Sequence, residues 1–249
     1  MVTKYISVSS SKGGSGKSTI TSILSTGLLS HLKRRIAVVD IDPQESLIDA
    51  RKAELKEIDN NPPKSNSLIY QTILKNKENT NQSFPDFFKM SLYDDFAIIK
   101  QKLDSLNGKY DFVFLDFPGS LNIHSNTILL LKELDYIFIP FYVDKNSRSA
   151  TFKFAHSLKE LKGKGMLKAD FHLFFNQFNG YTGKNGSSFK VMRDFMESKK
   201  YPLLKNAIYS SPEIERYSTI VPIKVGAGIK NPYHLLEEIY NILNLNQNE

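Results

Sequence analysis

The segment SSKGGSGKST, residues 10–19, places three glycines and two lysines within ten residues, directly after a short apolar stretch. Glycine has no Cβ, so its backbone turns tightly and comes close to the oxygen atoms of a ligand. Successive N–H groups in such a turn, and the first N–H groups of a following helix, attract anionic phosphate. The segment therefore predicts a phosphate-binding loop, with a glycine-rich turn carrying chance lysines as the alternative.

The second half of this segment fits the common phosphate loop G-x-x-x-x-G-K-[ST] at Gly16, Lys17 and Ser18. Residue 11 is serine where that pattern has its first glycine, so the loop is a variant, K-G-G-x-G-K-[ST]. Lys17 is predicted to reach the β- and γ-phosphates, the Ser18 hydroxyl to ligate Mg²⁺, and Thr19 to reach the α-phosphate. The loop positions predicted to bind the nucleotide are Gly13, Gly14, Ser15, Gly16, Lys17, Ser18 and Thr19.

Lys12 is a second lysine at a place where most phosphate loops carry no charge. Inside one subunit it would add a like charge beside Lys17, which is unfavourable. The lysine is explained if it points outward, toward a nucleotide held by a second copy of the chain, where it would offset charge during phosphoryl transfer. A solvated surface lysine is the alternative.

Three aspartates follow apolar runs and are candidates for the metal and the chemistry. Asp40 and Asp42 lie at the carboxyl end of the run RIAVVDID, and ligands of open α/β sheets gather at that edge. Strand residues two apart share a face, so both carboxylates can point toward Mg²⁺ and the γ-phosphate. Asp116 ends the run FVFLD in the same manner. For all three, capping of the next helix is the alternative.

The elements that must position these residues follow from an alternation of short apolar runs and longer amphipathic stretches. The runs predicted to be strands are KYISVSS, RIAVVDID, YDFVFLDFPG, DYIFIPFYV and ADFHLFFNQFN. The stretches between these runs, and the last stretch of the chain, have apolar residues at helical spacing and are predicted to be helices. Within the irregular residues 58–93, DNNPPKSNS and NKENTNQSFP are predicted to be loops. The fold class predicted is α/β: one three-layer domain over residues 1–249, with a mostly parallel sheet and helices on both faces.

Composition excludes several kinds of site. The chain of 249 residues has no cysteine, so disulfides, thiolate zinc sites and iron–sulfur clusters are excluded. Its five histidines are scattered without ligand spacing, so no structural metal site is expected. No apolar run is long enough to span a membrane and the N-terminus lacks the layout of a signal peptide, so a soluble, cytoplasmic protein is expected.

The net charge of +7 is unevenly distributed. Residues 145–230 carry sixteen Lys and Arg against six Asp and Glu, a local charge of +10, and the remainder of the chain carries −3. A basic segment of this size favours a polyanionic partner, either nucleic acid or acidic lipid. Ordinary solubility charge is the alternative.

The run KGGSGKST resembles the deviant Walker A motif of the ParA/MinD family of ATPases, and the resemblance extends over roughly residues 3–245. DIDPQ resembles the family's first switch element, and FLDFPG resembles its Walker B strand, with Gly119 in place of a second proline. That glycine is expected to make the turn more mobile. FFNQFN places Asn176 at the position of an adenine-contacting asparagine, with Asn179 as a rival.

The resemblance implies roles for these residues. Lys12 acts across a nucleotide-sandwich dimer, and Lys17 and Asp42 are catalytic, Asp42 by positioning the attacking water. Asp40 lies near the metal and Asp116 holds a metal-bound water. The cofactors implied are ATP and Mg²⁺, and the activity implied is a slow ATP hydrolysis that a partner protein stimulates.

The family's branches differ in partners. The absence of cysteine excludes the iron-protein branches, and the tail HLLEEIYNILNLNQNE lacks the basic amphipathic helix of the membrane-bound branch, so no membrane partner is expected. The remaining branches act in plasmid partition or conjugative transfer. They imply an ATP-dependent homodimer, non-specific DNA, possible nucleoid association and a ParB-like or relaxosome DNA-binding protein as partner. Lys205 and Arg216 are the candidate DNA-binding residues.

Two other functions remain open at this stage. A localisation or scaffold protein of the same family would use ATP only to dimerise and recruit a protein partner, without DNA. A metabolic ligase or kinase would need a motif for a second substrate, and the sequence shows none. Because no helix-turn-helix precedes the first strand, binding to a specific operator is not expected.

Overall fold

The computed structural model describes residues 2–10, 13–119, 125–142, 145–178, 187–223 and 232–245. Its strands are β1 (Lys4–Val8), β2 (Ile36–Asp40), β3 (Asp86–Lys89), β4 (Phe112–Asp116), β5 (Tyr136–Phe141), β6 (Asp170–Phe178) and β7 (Leu203–Tyr209). Its helices are α1 (Lys17–Leu32), α2 (Ser46–Asn60), α3 (Leu68–Thr80), α4 (Phe96–Asp104), α5 (Ser125–Glu133), α6 (Lys145–Gly163), α7 (Ser187–Ser198), α8 (Pro212–Glu215) and α9 (Tyr233–Leu245).

The strands form one seven-stranded sheet in the order β3-β2-β4-β1-β5-β6-β7, and each pairing of neighbours is parallel. The predicted parallel α/β sheet is therefore confirmed. The chain runs from β1 outward to β2 on one side and later continues at β5 on the other. A sheet that reverses its strand order in this way opens a crevice at the carboxyl ends of its central strands, where ligands bind.

Helices cover both faces of the sheet, as predicted. Alternate residues of one strand enter different cores: Val113 and Leu115 belong to one cluster, and Phe112 and Phe114 belong to the other. The first cluster packs on α4, α5, α6 and α7, and the second packs on α1 and α9. Because both faces are buried, these strands read as continuous apolar runs instead of alternating patterns, which explains why the sequence predicted them well.

The segment between α2 and α4 corrects the sequence analysis. The stretch NKENTNQSFP is not a loop throughout, because its first five residues complete α3, which begins with Ser67 accepting a hydrogen bond from the backbone N–H of Tyr70. β3 follows as a four-residue edge strand paired with β2. Arg51 fixes this edge, since its buried guanidinium donates to the carbonyl of Pro85 and lies 4.3 Å from the ring centroid of Phe87.

The strand β7 was likewise not predicted. It pairs with β6 at the other edge of the sheet through an irregular register. None of the helices in the described part of the chain is long and apolar enough to cross a membrane.

A close contact joins the first and last described helices. Gly27 of α1 is buried against Tyr240 of α9, and a Cβ at position 27 would overlap the Tyr240 hydroxyl and lie 3.2 Å from its Cζ. That hydroxyl is buried and has no hydrogen-bond partner among the described residues. A residue larger than glycine at position 27 would therefore clash with the tyrosine hydroxyl. The packing of α1, which follows the phosphate loop, depends on this close contact.

We expect Gly27→Ala to lower the free energy of unfolding by about 1–3 kcal/mol, because the added methyl overpacks a buried contact. In a Tyr240→Phe background the loss should shrink, since the clashing oxygen is gone. Urea denaturation of the two single variants and the double variant measures this coupling. Gly163→Ala, whose Cβ would meet nothing within 4 Å, is the matched control. An equal cost of Gly27→Ala in both backgrounds would exclude the hydroxyl as its cause.

Candidate nucleotide-binding site

The loop between β1 and α1 has the backbone that a phosphate cradle needs. Gly14 and Gly16 adopt left-handed φ values of 70° and 77°, which other residues rarely adopt. α1 begins at Lys17 with no side-chain cap and no acidic residue in its first turn. Its first N–H groups are therefore left for a ligand, and the positive end of the helix dipole favours an anion there.

Two side chains from neighbouring strands hold the loop's carbonyl groups away from the crevice. The Tyr142 hydroxyl, just after β5, donates to the Gly14 carbonyl at 2.8 Å, and the Asn176 side-chain amide, in β6, donates to the Ser15 carbonyl at 2.8 Å. A Cβ at Gly16 would lie 2.8 Å from Nδ2 of Asn176. The loop is thus clamped from the β5–β6 side while its N–H groups stay available.

This clamp gives Asn176 a role that the sequence did not indicate. Its side chain is 3% exposed, and its Oδ1 accepts a hydrogen bond from the backbone N–H of Gln177 at 2.9 Å. Both ends of the amide therefore have protein partners, and the predicted contact with adenine stays a prediction. Its rival Asn179 lies outside the described residues.

Lys17 and Asp116 form the charged centre of the crevice. Both are buried, at 6% and 0% exposure. Burial lowers the pKa of Lys17, and the attraction of Asp116 works against that shift. Burial raises the pKa of Asp116 to about 7, opposed by a hydrogen bond from the Ser18 hydroxyl and by Lys17. Each charge is therefore costly to bury and is partly offset by the other, as expected of a site built for a highly charged ligand.

The residues around Asp116 fit Mg²⁺. The Ser18 hydroxyl donates to Oδ2 of Asp116 at 2.7 Å, and Oδ1 is buried with no hydrogen-bond partner among the described residues. A hydroxyl beside a carboxylate with unused acceptor capacity matches the few protein ligands that Mg²⁺ takes beside water and substrate phosphates. No cluster of three or more His, Cys, Asp or Glu able to hold a metal occurs among the described residues.

Asp40 is paired with Asp116 in the register of β2 and β4, but its oxygens face α2. Oδ1 accepts from the backbone N–H of Asp42 and Oδ2 from that of Ile48, both at 3.1 Å. Glu45, which precedes α2, has φ 52° and provides no side-chain cap, so Asp40 caps the helix in its place. This is the capping alternative left open above, and the nearness of Asp40 to a metal stays a prediction.

Asp42 faces the crevice. It is partly exposed, lines the central cavity, and accepts a hydrogen bond from the backbone N–H of Gln44 at 3.0 Å. This turn fixes the carboxylate in the lining of the cavity that the phosphate loop also lines. The predicted water-positioning role requires such a placement, and that role stays a prediction.

The cavity itself has a volume of about 680 Å³ and brings the predicted residues together. From the sequence predictions it contains the loop residues 13–19 and Asp42. The lining residues that sequence reasoning did not assign to the site come from four stretches of the chain: Pro43, Gln44, Ser46, Leu92, Tyr93, Pro118, Gly119 and Thr127. Leu92 and Tyr93 follow β3, which ends at the same edge of the sheet. Had β3 been predicted as a strand, its position would have indicated both residues.

Gly119 makes a close contact with the phosphate loop. A Cβ at this position would lie 3.0 Å from the Gly13 Cα and 3.7 Å from Nζ of Lys17. The absence of the second proline is therefore explained by lack of space. The mobility of this turn that the sequence analysis expects stays a prediction.

Three other predicted residues are not part of the cavity as the structure describes it. Lys12 is outside the described residues. Lys205 is exposed on the edge strand β7, and Arg216 is exposed directly after α8, where it lines a separate cavity. The structure does not bring Lys205 or Arg216 to the phosphate loop.

We expect Lys17→Ala to weaken ATP binding by about 2–5 kcal/mol, at least 30-fold, because it leaves Asp116 and the triphosphate without their buried counter-charge. Titration with a fluorescent ATP analogue measures this. Lys164→Ala, an exposed lysine in the turn after α6, is the control and should bind as wild type. Unchanged affinity in Lys17→Ala would contradict the assignment of the loop.

A family model described as "AAA domain" matches residues 3–173. The carboxysome-distribution maintenance protein A of Halothiobacillus neapolitanus is 27% identical over 96% of this chain and 94% of its own. A putative plasmid partition protein of Borrelia burgdorferi, solved with AMPPNP, superposes with a TM-score of 0.65 at 20% identity over 96% and 98% of the two chains. Cobyrinic acid a,c-diamide synthase of Mycobacterium smegmatis, solved with ADP and magnesium, superposes with a TM-score of 0.61 at 18% identity over 96% of this chain and 94% of its own.

These similarities agree with the loop geometry. The structural matches are below 25% identity and show the fold, which an amide-forming enzyme and a partition protein share. The family match covers more than half of the chain and includes the phosphate loop, both aspartate-bearing strand ends and the first four residues of β6. The chain belongs to the AAA-domain family and, within it, to the ParA/MinD-type P-loop ATPases.

Proposed function

We propose that this protein is a Mg²⁺-dependent ATPase whose ATP-bound form is a face-to-face homodimer that binds DNA non-specifically and acts in plasmid partition or conjugative DNA transfer. The observation that supports this most directly is the buried Lys17–Asp116 centre under an uncapped helix start. Such a site favours a bound triphosphate with its metal over the empty state, so nucleotide occupancy can govern a change of assembly.

In this proposal each residue of the site has a separate role in binding or hydrolysis. The loop N–H groups and Lys17 bind the phosphates, while Ser18 and Asp116 would hold Mg²⁺, which supplies positive charge at the β- and γ-phosphates. Asp42 orients the water that attacks the γ-phosphate. Lys12 reaches the triphosphate of the second subunit, so that closure of the dimer completes the site.

DNA binding in this proposal rests on the exposed lysines of the basic segment. The described members that are exposed at the surface include Lys190, Lys199, Lys200 and Lys205 on α7, β7 and the turn between them. Lys and Arg on one such surface neutralise phosphates without reading sequence. The partner expected is then a DNA-bound ParB-like or relaxosome protein that stimulates hydrolysis.

A second function is favoured by one observation. The Halothiobacillus relative, similar over nearly the full chain, maintains the distribution of carboxysomes. A localisation protein that dimerises with ATP and recruits a protein partner, without DNA, would use the same nucleotide site. The two functions differ in whether the ATP-bound form retains DNA.

We expect Lys12→Ala to bind ATP within about twofold of wild type, because the monomer site is served by the loop and Lys17, but to lose dimerisation and hydrolysis. Light scattering with AMPPNP and a phosphate-release assay measure the two losses. Lys4→Ala, in β1, is the control lysine outside the loop. Normal hydrolysis and dimerisation by Lys12→Ala would overturn the role across subunits.

Filter binding of a random-sequence DNA duplex, with and without ATP, tests the DNA proposal. Retention should depend on ATP and fall steeply with salt, by about 10³-fold or more between 50 and 200 mM if roughly six phosphates are neutralised. Removing both Lys205 and Arg216 by alanine substitution should reduce the salt slope by about 2, whereas Lys56→Ala on α2 should not change it. Absence of retention at low salt would leave the localisation function.

A further inference from the structure

The cavity has a third wall that neither the phosphate loop nor the aspartates provide. Leu92 and Tyr93, in the loop that follows β3, line the same cavity as Lys17 and Gly119. β3 lies at the sheet edge beyond β2, so this wall stands on the Asp42 side of the cavity, away from Tyr142 and β6. The loop therefore borders the cavity on the side of Asp42, the residue proposed to orient the attacking water.

Within this wall the two residues have opposite environments. Leu92 is 6% exposed and anchors the loop in the core, whereas Tyr93 is 74% exposed. The turn is fixed locally, because the backbone N–H of Tyr93 donates to Ser91 Oγ at 3.1 Å, and Asp94 forms a 3.0 Å ion pair with Lys102. An exposed aromatic residue is thus presented on a fixed turn at the rim of the nucleotide cavity.

One side chain ties this wall to the segment after the Walker B strand. Asn126, in the first turn of α5, donates to the Leu92 carbonyl at 2.8 Å and to the Asp94 carbonyl at 2.9 Å. The next residue, Thr127, lines the cavity itself. The amide spans both ends of the Tyr93 turn, so a movement of the start of α5 carries the turn with it.

We propose that Tyr93 contacts the second copy of this chain in the ATP-bound dimer, and that Asn126 is the positioning residue that holds the Tyr93 turn at the rim of the cavity. The inference rests on the proposed function. A face-to-face dimer that closes over the phosphate loop must cover the rim of the cavity, and Tyr93 is an exposed aromatic on that rim. Rigid aromatic residues of this kind frequently dominate interfaces.

The first test is Tyr93→Ala, measured by the dimerisation Kd in AMPPNP and Mg²⁺ and by the monomer's affinity for a fluorescent ATP analogue. We expect dimerisation to weaken at least tenfold, and by a larger factor than the monomer's ATP affinity; an equal loss of both would mean that Tyr93 acts on the nucleotide and not on the second copy. Tyr93→Phe should retain most of the dimer, because it keeps the ring. Ile98→Ala, a 48% exposed apolar residue of α4 outside the cavity lining, should dimerise as wild type.

The second test is Asn126→Asp, which keeps the shape of the side chain and removes both donors. It should weaken dimerisation to a similar degree, and the double variant with Tyr93→Ala should lose little more, because both act through one turn. Fully additive losses would overturn the positioning role. If Asn126→Asp does not fold, Tyr93→Ala and Tyr93→Phe still decide the contact.

The outcomes separate this inference from the proposed function. If wild type binds the analogue but does not dimerise, the dimer of the proposed function fails and the Tyr93 contact fails with it. If wild type dimerises and Tyr93→Ala dimerises with the same Kd, the proposed function stands and the contact is overturned.

Discussion

The direction of the peptide groups between Gly14 and Gly16 is the constraint on which the rest of the site depends. For their N–H groups to face a phosphate, the carbonyls on the same peptides must point the other way, and the buried Ser15 carbonyl needs a partner there because leaving it unpaired is costly. Tyr142 and Asn176 provide those partners from β5 and β6. The strand order β1-β5-β6 is therefore part of the binding site, because only that neighbourhood places both donors behind the loop.

The same loop begins a helix without a cap and sets a buried lysine beside a buried aspartate. Neither feature stabilises the empty protein, since burial shifts the pKa of Lys17 and of Asp116 toward their neutral forms. In the proposed function, a triphosphate with its metal would supply the missing anion for the helix start and the missing cation for Asp116. Ligand binding would then stabilise the protein relative to the empty state, and this difference in free energy can drive a conformational change.

The sequence predicted the parts of this arrangement that local residues decide. Glycines followed by a lysine and by apolar residues at helical spacing indicate a phosphate loop from local sequence alone. Buried parallel strands are recognised by unbroken apolar runs such as FVFLD. The stretch NKENT was predicted as a loop because it is polar, yet it forms the last turn and a half of α3, since one face of that helix packs beside α1. β3 is too short, and too mixed in polarity, to be detected without its partner β2.

The parts that could not be predicted are contacts between distant segments. Nothing in FFNQFN distinguishes an asparagine that binds adenine from one that holds a carbonyl of the phosphate loop, since the same amide chemistry serves both. The capping of α2 by Asp40 is equally hidden, because Glu45 stands at the expected cap position in an unfavourable conformation. The residue types at the crevice could be predicted from the sequence, whereas their hydrogen-bond partners depend on the tertiary structure.

The segment after β4 is where these contacts converge. Gly119 packs on the phosphate loop at Gly13, and a few residues later Asn126 holds both ends of the Tyr93 turn. Asp116, which opens the segment, bonds to Ser18 in the helix that starts from the loop. In the proposed function, a change in charge at the γ-phosphate would act on the contacts made by Asp116 and Gly119. Because packed segments shift between discrete positions and do not deform gradually, these contacts are suited to report whether the triphosphate is intact.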